Sequence, residues 1–365
     1  MAGPGAREVP SPEELFSDLL AGRPVEVSDA VLDLCRSERL IPFLAAQAGQ
    51  HQDSCSAHVA LLRTALHREV ATELARRREL QAILERFHEQ AVQALVFKGT
   101  ALAYQVYEQP WQRSRGDTDL WVSRDQWQTA ADELVQLGYL PTETLPGDVA
   151  MGAVNFSRTD EFGLAHDIDL HWRFNNTWWL ARAVNFDLLL ETSVPVTPLS
   201  PLALAPALDL SLLIACLHRG AHLGYPAWQA GDFRRSEADL SLWIYDIHLL
   251  AHAIDDWERI VHIAIEHRLA LLVLDGLQTS ACRFGTVIPR QVLEDLAGAA
   301  NQVQKQDMIG MTSDWQNFLA IPSWRLRLRW LQEQSFPPRD YMTTQYGSAS
   351  PVSYGRRILR GLLKR

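Results

Sequence analysis

The 365-residue chain has few cysteines and no long apolar run. Its four cysteines, Cys35, Cys55, Cys216 and Cys282, are scattered singly, whereas zinc knuckles and redox motifs need closely spaced pairs. No segment approaches the roughly 20 apolar residues of a membrane helix. Residues 1–9 lack the basic-then-apolar order of a signal peptide. We therefore expect reduced thiols, no transmembrane segment and a cytoplasmic location.

Positive charge and the common nucleotide motifs are also scarce. The chain has 34 Lys and Arg against 44 Asp and Glu, a formal net charge of -10. This balance argues against a protein whose main task is to grip the backbone of a long nucleic acid. There is no phosphate-binding P-loop, no dinucleotide Gly-x-Gly-x-x-Gly and no Gly-x-Ser-x-Gly elbow. These absences set aside three large enzyme classes.

Hydrophobic periodicity predicts helices at both ends of the chain. Ser11, Pro12 and Glu14 form a helix start with a capping box, after a Gly- and Pro-rich opening that we expect to be disordered. Apolar residues then recur at helical spacing, and we predict an N-terminal helical region (1–90) and a C-terminal helical region with a basic tail (176–365). The predicted helices cover residues 29–40, 57–90, 207–223, 237–253, 257–266 and 269–284.

The middle of the chain, residues 91–175, has a different pattern. Short apolar or alternating runs predict strands there, separated by two helices and a turn that contains Gly163. The predicted fold class is therefore α+β, with a small mixed sheet embedded between the two helical regions. The Pro-rich stretch 194–206 is expected to be a linker or an extended crossing between the two regions. The strands are expected at 94–97, 117–122, 153–158 and 164–172, and the helices at 100–107 and 124–137.

Acidic residues alternate with apolar ones on two of these strands. Asp117 and Asp119 are two residues apart, so both carboxylates point to one face, where they can hold Mg²⁺. Asp167, Asp169 and His171 share a face in the same way. If the two strands are neighbours, the carboxylates form a cluster of the kind used in two-metal phosphoryl chemistry. The alternative is a sheet face that carries only surface charge.

The residues around these acids resemble a known family. Together they are similar to the bacterial uncharacterised nucleotidyltransferase family within the DNA polymerase β superfamily, and the resemblance covers roughly residues 91–250. The similar segments are 97–103 (FKGTALA), Tyr107, 113–122 (RSRGDTDLWV), 168–172 (IDLHW) and, more weakly, 217–219 (LHR) and 243–247 (WIYDI).

The resemblance implies roles for the acids. Asp117 and Asp119 would bind Mg²⁺ or Mn²⁺, and Asp169 would be the third catalytic acid, which binds metal or accepts a proton from the acceptor. Asp167 is its substitute candidate. His171 would orient Asp169 or contact the substrate, although a histidine beside a carboxylate is often only its hydrogen-bond partner.

The resemblance also implies a nucleotide site before these acids. Gly99 and Thr100 occupy the turn where related enzymes often place Gly-Ser against the triphosphate, but Lys-Gly-Thr here departs from that pattern. Lys98 and Arg113 are candidates for phosphate contacts. Each has an alternative: Lys98 pairs with a carboxylate at the end of its strand, and Arg113 fixes its loop to Asp117 or Asp119.

Two histidines in the C-terminal region invite a comparison with zinc enzymes. His218 and His222 are one helical turn apart, but Arg219 follows the first histidine where zinc proteases have Glu. We therefore expect these histidines to pack against the core or to line its substrate side.

The expected activity is transfer of a nucleoside monophosphate from a nucleoside triphosphate, ATP among the candidates, to an acceptor, with release of pyrophosphate. The acceptor is a small molecule, a peptide, a protein or an RNA. A non-catalytic binding protein of the same fold and a metal-dependent kinase are the alternatives. The basic tail 356–365 either packs through its apolar stripe or contacts RNA or an anionic membrane surface.

Overall fold

The structure, a computed structural model, describes residues 10–50, 57–223, 240–306 and 313–363. A five-stranded mixed sheet lies at its centre, and a two-stranded sheet lies beside it. The strands of the larger sheet are β1 (Ala94–Phe97), β2 (Asp117–Val122), β3 (Leu140–Pro141), β4 (Ala153–Thr159) and β5 (Ala165–His171), and the smaller sheet pairs β6 (Val194–Pro195) with β7 (Leu204–Ala205). The larger sheet has the order β1-β2-β5-β4-β3.

Helices precede, interrupt and follow the sheet. Before it lie α1 (Pro12–Leu20), α2 (Asp29–Ser37), α3 (Ile41–Gln50) and α4 (Ala57–Glu89), and between its strands lie α5 (Lys98–Gln105) and α6 (Trp127–Gln136). After it come α7 (Trp178–Ala181), α8 (Phe186–Glu191), α9 (Leu208–Leu223), α10 (Ser241–Ala253), α11 (Glu258–Glu266), α12 (Ala270–Phe284), α13 (Arg290–Gln306), α14 (Ser313–Ala320), α15 (Trp324–Ser335), α16 (Arg339–Tyr346) and α17 (Pro351–Leu363).

The two faces of the sheet have different partners. Leu120, Ile168 and Leu170 on one face pack against α4 and α6 in one apolar cluster. On the other face, Phe97 and Trp121 belong to a second cluster that includes apolar residues of α9, α10 and α12. Because side chains alternate along a strand, Asp119 lies on the same face as Trp121. The acidic residues therefore point toward the helices that follow the sheet.

Most predicted elements are confirmed, some with shifted ends. The capping box at Ser11 is present, and the long helix predicted at 57–90 is α4. The strands predicted at 94–97, 117–122, 153–158 and 164–172 are all present. Gly163 has φ +81° in the turn between β4 and β5, as expected of a glycine in a tight turn.

Three features differ from the prediction. The tight turn expected at Lys98-Gly99 is confined to Lys98, which has φ +51°, and α5 begins there rather than at Thr100. The stretch 194–206, expected to be a linker or an extended crossing, contains the paired strands β6 and β7, with Pro195 on a two-stranded sheet that needs few ladder bonds. Helices α3, α7, α8 and α13–α16 and the short β3 were not individually predicted. Most of them are short and carry little periodicity, although α13 spans 17 residues.

Other sequence-based expectations concern thiols, membranes and the chain ends. Cys35 and Cys216 are buried free thiols and Cys282 is an exposed one, whereas Cys55 and residues 1–9 lie outside the described residues. Within the described ranges, no helix is both long and apolar enough to cross a membrane. The tail forms the end of α17, but the side chains that would make its apolar stripe lie outside the described residues.

Gly276 allows α9, α10 and α12 to pack closely. A Cβ added at Gly276 would lie 2.9 Å from Cys216 Sγ and 3.3 Å from Ile247 Cδ1. We expect Gly276→Ala to lower the free energy of unfolding by about 1–3 kcal/mol through overpacking, which outweighs a helix-propensity gain of up to about 1 kcal/mol. The measurement is urea-induced unfolding followed by circular dichroism.

Gly298 on α13 is the matched control, since a Cβ added there would meet nothing within 4 Å. Gly298→Ala should therefore raise the free energy of unfolding by up to about 1 kcal/mol through helix propensity alone. Equal stabilisation by both substitutions would contradict the packing argument.

Candidate active site

Parallel pairing of β2 with β5 brings the acidic residues together. Asp117 lies opposite Asp167 and Asp119 lies opposite Asp169, in adjacent strands of one sheet. Because residues two apart share a face, all four carboxylates belong to the same face of the sheet. The predicted carboxylate cluster is therefore present, and the parallel register explains why it forms.

Lys98 and His171 balance part of this negative charge. Phe97 pairs with Asp119 across the β1–β2 ladder, so Lys98 follows directly at the end of β1, and its Nζ donates to Asp119 Oδ1 at 2.6 Å. His171 Nε2 lies 3.0 Å from Asp119 Oδ1 and 2.9 Å from Asp169 Oδ2. Pairing with a carboxylate was one of the alternatives that the sequence left open for Lys98 and for His171, and the structure contains both contacts.

The electrostatics of the cluster follow from these contacts. Burial works against the ionised form of Asp119, but Lys98 and His171 outweigh it and hold the pKa of Asp119 below its usual value. Burial likewise disfavours protonated Lys98 and His171, yet the neighbouring carboxylates raise the pKa of both. Enclosure in the cavity and the charge of Asp119 raise the pKa of Asp117. Asp119 is therefore held in the ionised form, whereas Asp117 is easier to protonate than a free aspartate.

These side chains can hold a metal ion. One ligand atom from each of Asp119, Asp169 and His171 lies within 4.8 Å of the others. Asp117, at the exposed start of β2, is not a member of this group, but it lines the same cavity and offers a further carboxylate. Carboxylate oxygens suit Mg²⁺ and Mn²⁺, and an imidazole nitrogen is a ligand that Mn²⁺ also accepts. The donor set therefore fits a divalent cation.

A cavity of about 480 Å³ opens over the carboxylates. The four aspartates of β2 and β5 line its sheet side, and α9 and α10 form the facing wall with Ile214, His218, His222 and Trp243. A smaller cavity of about 230 Å³ shares Lys98, Asp169, His218 and His222 with it. Pockets of a few hundred Å³ are typical of small-molecule sites. The acids thus lie where two adjacent cavities meet.

His218 and His222 belong to this facing wall, in agreement with the lining role expected from sequence. Their rings stack edge-on 4.6 Å apart, and both lie about 5 Å from the ring of Trp243, at 5.2 Å and 4.7 Å. Burial and the charge of Lys98 lower the pKa of both histidines, so both are neutral at pH 7. His218, His222 and Trp243 therefore form an uncharged, aromatic patch on the wall opposite the acids.

Arg113 binds a carboxylate that the sequence did not identify as its partner. Its Nε donates to Asp246 Oδ1 at 2.8 Å and its Nη2 to Asp246 Oδ2 at 2.7 Å, and Tyr107 Oη donates to Asp246 Oδ1 at 2.7 Å. The carboxylate that fixes Arg113 thus comes from α10 and is not Asp117 or Asp119. Arg113 still lines the larger cavity beside Gly99.

The other two nucleotide-binding candidates, Gly99 and Thr100, differ in whether they reach a cavity. Gly99 lines the larger cavity, whereas the Thr100 side chain is fully buried and is not among the described residues that line either cavity. Arg115, which sequence reasoning did not single out, also lines the larger cavity and pairs with Glu73 of α4 at 2.7 Å. The Arg-x-Arg pattern before Gly116 was the available signal for it.

The buried pair of Arg113 and Asp246 yields a stability prediction. Arg113 and Asp246 are 6% and 4% exposed at the side chain, so Asp246→Asn would leave the guanidinium without a charged partner. We expect a loss of about 3–5 kcal/mol in the free energy of unfolding, measured by urea denaturation.

Asp33→Asn is the control for this substitution. Asp33 pairs with Arg36 on the surface of α2, with side chains 75% and 55% exposed, and its removal should cost no more than about 1 kcal/mol. Similar losses in the two variants would show that the Arg113–Asp246 pair contributes no more to the free energy of unfolding than an exposed ion pair.

Comparison with known proteins agrees with this geometry. No curated protein sequence matches the chain significantly. A family model described as uncharacterised nucleotidyltransferase matches residues 26–285, more than two thirds of the chain. The matched segment contains all five strands of the larger sheet and every described residue that lines the larger cavity. The chain belongs to this uncharacterised nucleotidyltransferase family.

Proposed function

We propose that the protein is a metal-dependent nucleotidyltransferase that transfers a nucleoside monophosphate from a nucleoside triphosphate to an acceptor and releases pyrophosphate. The observation that carries the proposal is the alignment of Asp117, Asp119 and Asp169 on adjacent strands beneath a cavity. Membership of a nucleotidyltransferase family supports it. The resemblance of the same segments to the polymerase β superfamily points in the same direction.

Asp117, Asp119 and Asp169 would hold Mg²⁺ or Mn²⁺. Bound there, the metal would neutralise charge that develops on the α-phosphate and on the leaving pyrophosphate. Lys98 keeps Asp119 ionised at 2.6 Å, so a ligand oxygen is available throughout the neutral pH range. His171 fixes the carboxylate of Asp169 through the 2.9 Å contact and limits its rotation.

The two cavities separate the reactants. We place the donor nucleotide in the larger cavity and the acceptor in the smaller one, because they meet at Asp169. An acceptor hydroxyl oxygen forms a bond to the α-phosphorus while the bond from that phosphorus to the bridging oxygen of the β-phosphate breaks. Asp169 accepts the hydroxyl proton, and the electron pair of the broken bond leaves with pyrophosphate.

The position of a transferred label tests this proposal. We would incubate the protein with Mg²⁺ and each nucleoside triphosphate, labelled at the α- or the γ-phosphate, in extract of the cells from which the protein comes. Transfer of the α-label is expected, and Asp117→Ala or Asp119→Asn should reduce it at least about 100-fold, because charge stabilisation at the reacting phosphate is lost.

Asp125→Asn is the control, since Asp125 is an exposed acid just after β2 and outside the described residues that line the cavities. It should transfer the label at the wild-type rate. Transfer of the γ-label alone would make the protein a kinase, and absence of both transfers would favour a binding protein of the same fold. Full α-transfer by the Asp117 and Asp119 variants would overturn the assigned site.

Metal binding distinguishes the two candidates for the third acid. Asp169, unlike Asp167, belongs to the group whose ligand atoms lie within 4.8 Å of one another. We expect Asp169→Asn to weaken Mn²⁺ binding about 10–100-fold and Asp167→Asn to leave most of it, as measured by electron paramagnetic resonance titration. The reverse ranking would assign the third position to Asp167.

A further inference from the structure

Arg39 adopts a backbone conformation that usually favours glycine. Helix α2 ends in a Schellman arrangement, in which Leu40 N–H donates to Cys35 O at 2.7 Å and Arg39 N–H to Arg36 O at 3.3 Å. Arg39 occupies the left-handed position of this motif, at φ +60°. Glycine adopts that conformation without the steric conflict that a Cβ introduces. Arginine occupies this position at a steric cost that glycine would not have, so the surroundings of its side chain matter for its role.

The turn that carries Arg39 is fixed against the wall of the larger cavity. The preceding residue, Glu38, is buried and accepts a hydrogen bond from the backbone N–H of Ser241 at 3.0 Å, at the start of α10. Trp243 follows two residues later and lines the cavity. Arg39 is exposed and lines the same cavity. Its guanidinium is therefore presented at the cavity by a rigid turn.

Arg39 differs from the other cations of this cavity in having a free guanidinium. No hydrogen bond or ion pair to its side chain occurs among the described residues. The other cations that line the cavity each bind a carboxylate, in the pairs Lys98–Asp119, Arg113–Asp246 and Arg115–Glu73. The donors of Arg39 thus remain available for an anionic ligand.

We propose that Arg39 binds the terminal phosphates of the donor nucleoside triphosphate. The inference rests on the proposed function, because it assumes that the nucleotide occupies the larger cavity. Aspartates line the sheet side of that cavity and repel phosphate oxygens, so a free guanidinium on the helical side is the complementary contact. Its planar donors match two phosphate oxygens at once.

Arg268 offers a matched control. It occupies the same left-handed position after α11, at φ +59°, with Leu269 N–H donating to Ala264 O at 2.7 Å. It is also exposed, but it is not among the described residues that line either cavity. Arg39→Gly and Arg268→Gly therefore make the same change to the backbone, and only the first removes a cation from the cavity.

The test measures dissociation constants by isothermal titration calorimetry in Mg²⁺. The ligands are each nucleoside triphosphate, the corresponding monophosphate and pyrophosphate. We expect Arg39→Gly to weaken binding of triphosphate and pyrophosphate about 10- to 100-fold, the effect of losing charge-assisted hydrogen bonds, and to leave monophosphate binding unchanged. Arg268→Gly should change none of them. Both variants should keep or slightly raise the melting temperature, because glycine relieves the left-handed strain.

Four results would overturn the assignment. Wild-type affinity of Arg39→Gly for triphosphate and pyrophosphate would exclude the contact while leaving the proposed function intact. Equal weakening of monophosphate binding, or a lowered melting temperature only in Arg39→Gly, would show a general or structural effect instead. If the wild-type protein binds neither triphosphate nor pyrophosphate, the proposed function itself fails.

Discussion

Burial of the apolar face of the sheet is the constraint on which the arrangement of its acidic face depends. The parallel register of β2 and β5 places like charges directly opposite each other, at Asp117 with Asp167 and at Asp119 with Asp169, an arrangement that by itself destabilises a strand pair. The opposite face holds this register, because Leu120, Ile168 and Leu170 are almost fully buried there. A slip by one residue would exchange these apolar groups with the acids. The apolar core thus enforces the acidic cluster.

Lys98 and His171 then lower the electrostatic cost of the acidic cluster. Lys98 and His171 bind Asp119, which is only 5% exposed and would otherwise be a buried unpaired charge. Lys98 reaches this carboxylate because it immediately follows the residue paired with Asp119 and because its positive φ turns the chain into α5 without an intervening loop. The strained backbone of Lys98 and the ionisation of Asp119 are therefore linked.

Ion pairs also join the sheet to the helices on both sides of it. Arg113 and Arg115 lie in the loop that leads into β2, and they bind Asp246 of α10 and Glu73 of α4, respectively. Neither arginine would find its buried partner within residues 91–175 alone. The division into regions 1–90, 91–175 and 176–365 remains a proposal, and these contacts favour folding of all three as one cooperative unit.

Much of the fold and the acidic cluster was predictable from the sequence. Alternation at 117–122 and 164–172 reveals strands and the faces of their carboxylates, because a period of two is a local property. Sequence does not reveal that Asp246 is the partner of Arg113, since the two are 133 positions apart and only tertiary packing joins them. For the same reason, the sequence does not reveal that Arg39 and Trp243 lie on the cavity wall or that Thr100 is buried.

Charge counting across the larger cavity connects the metal with the nucleotide. Five aspartates and four Lys or Arg residues line it, and three of those cations are already paired with carboxylates. The neutral His218 and His222 add no positive charge. A triphosphate entering alone would therefore meet a lining without surplus positive charge, and repulsion from the aspartates would oppose it. Divalent cations bound to the phosphates would turn this repulsion into attraction. The acidic cluster therefore favours the metal–nucleotide complex over the free nucleotide.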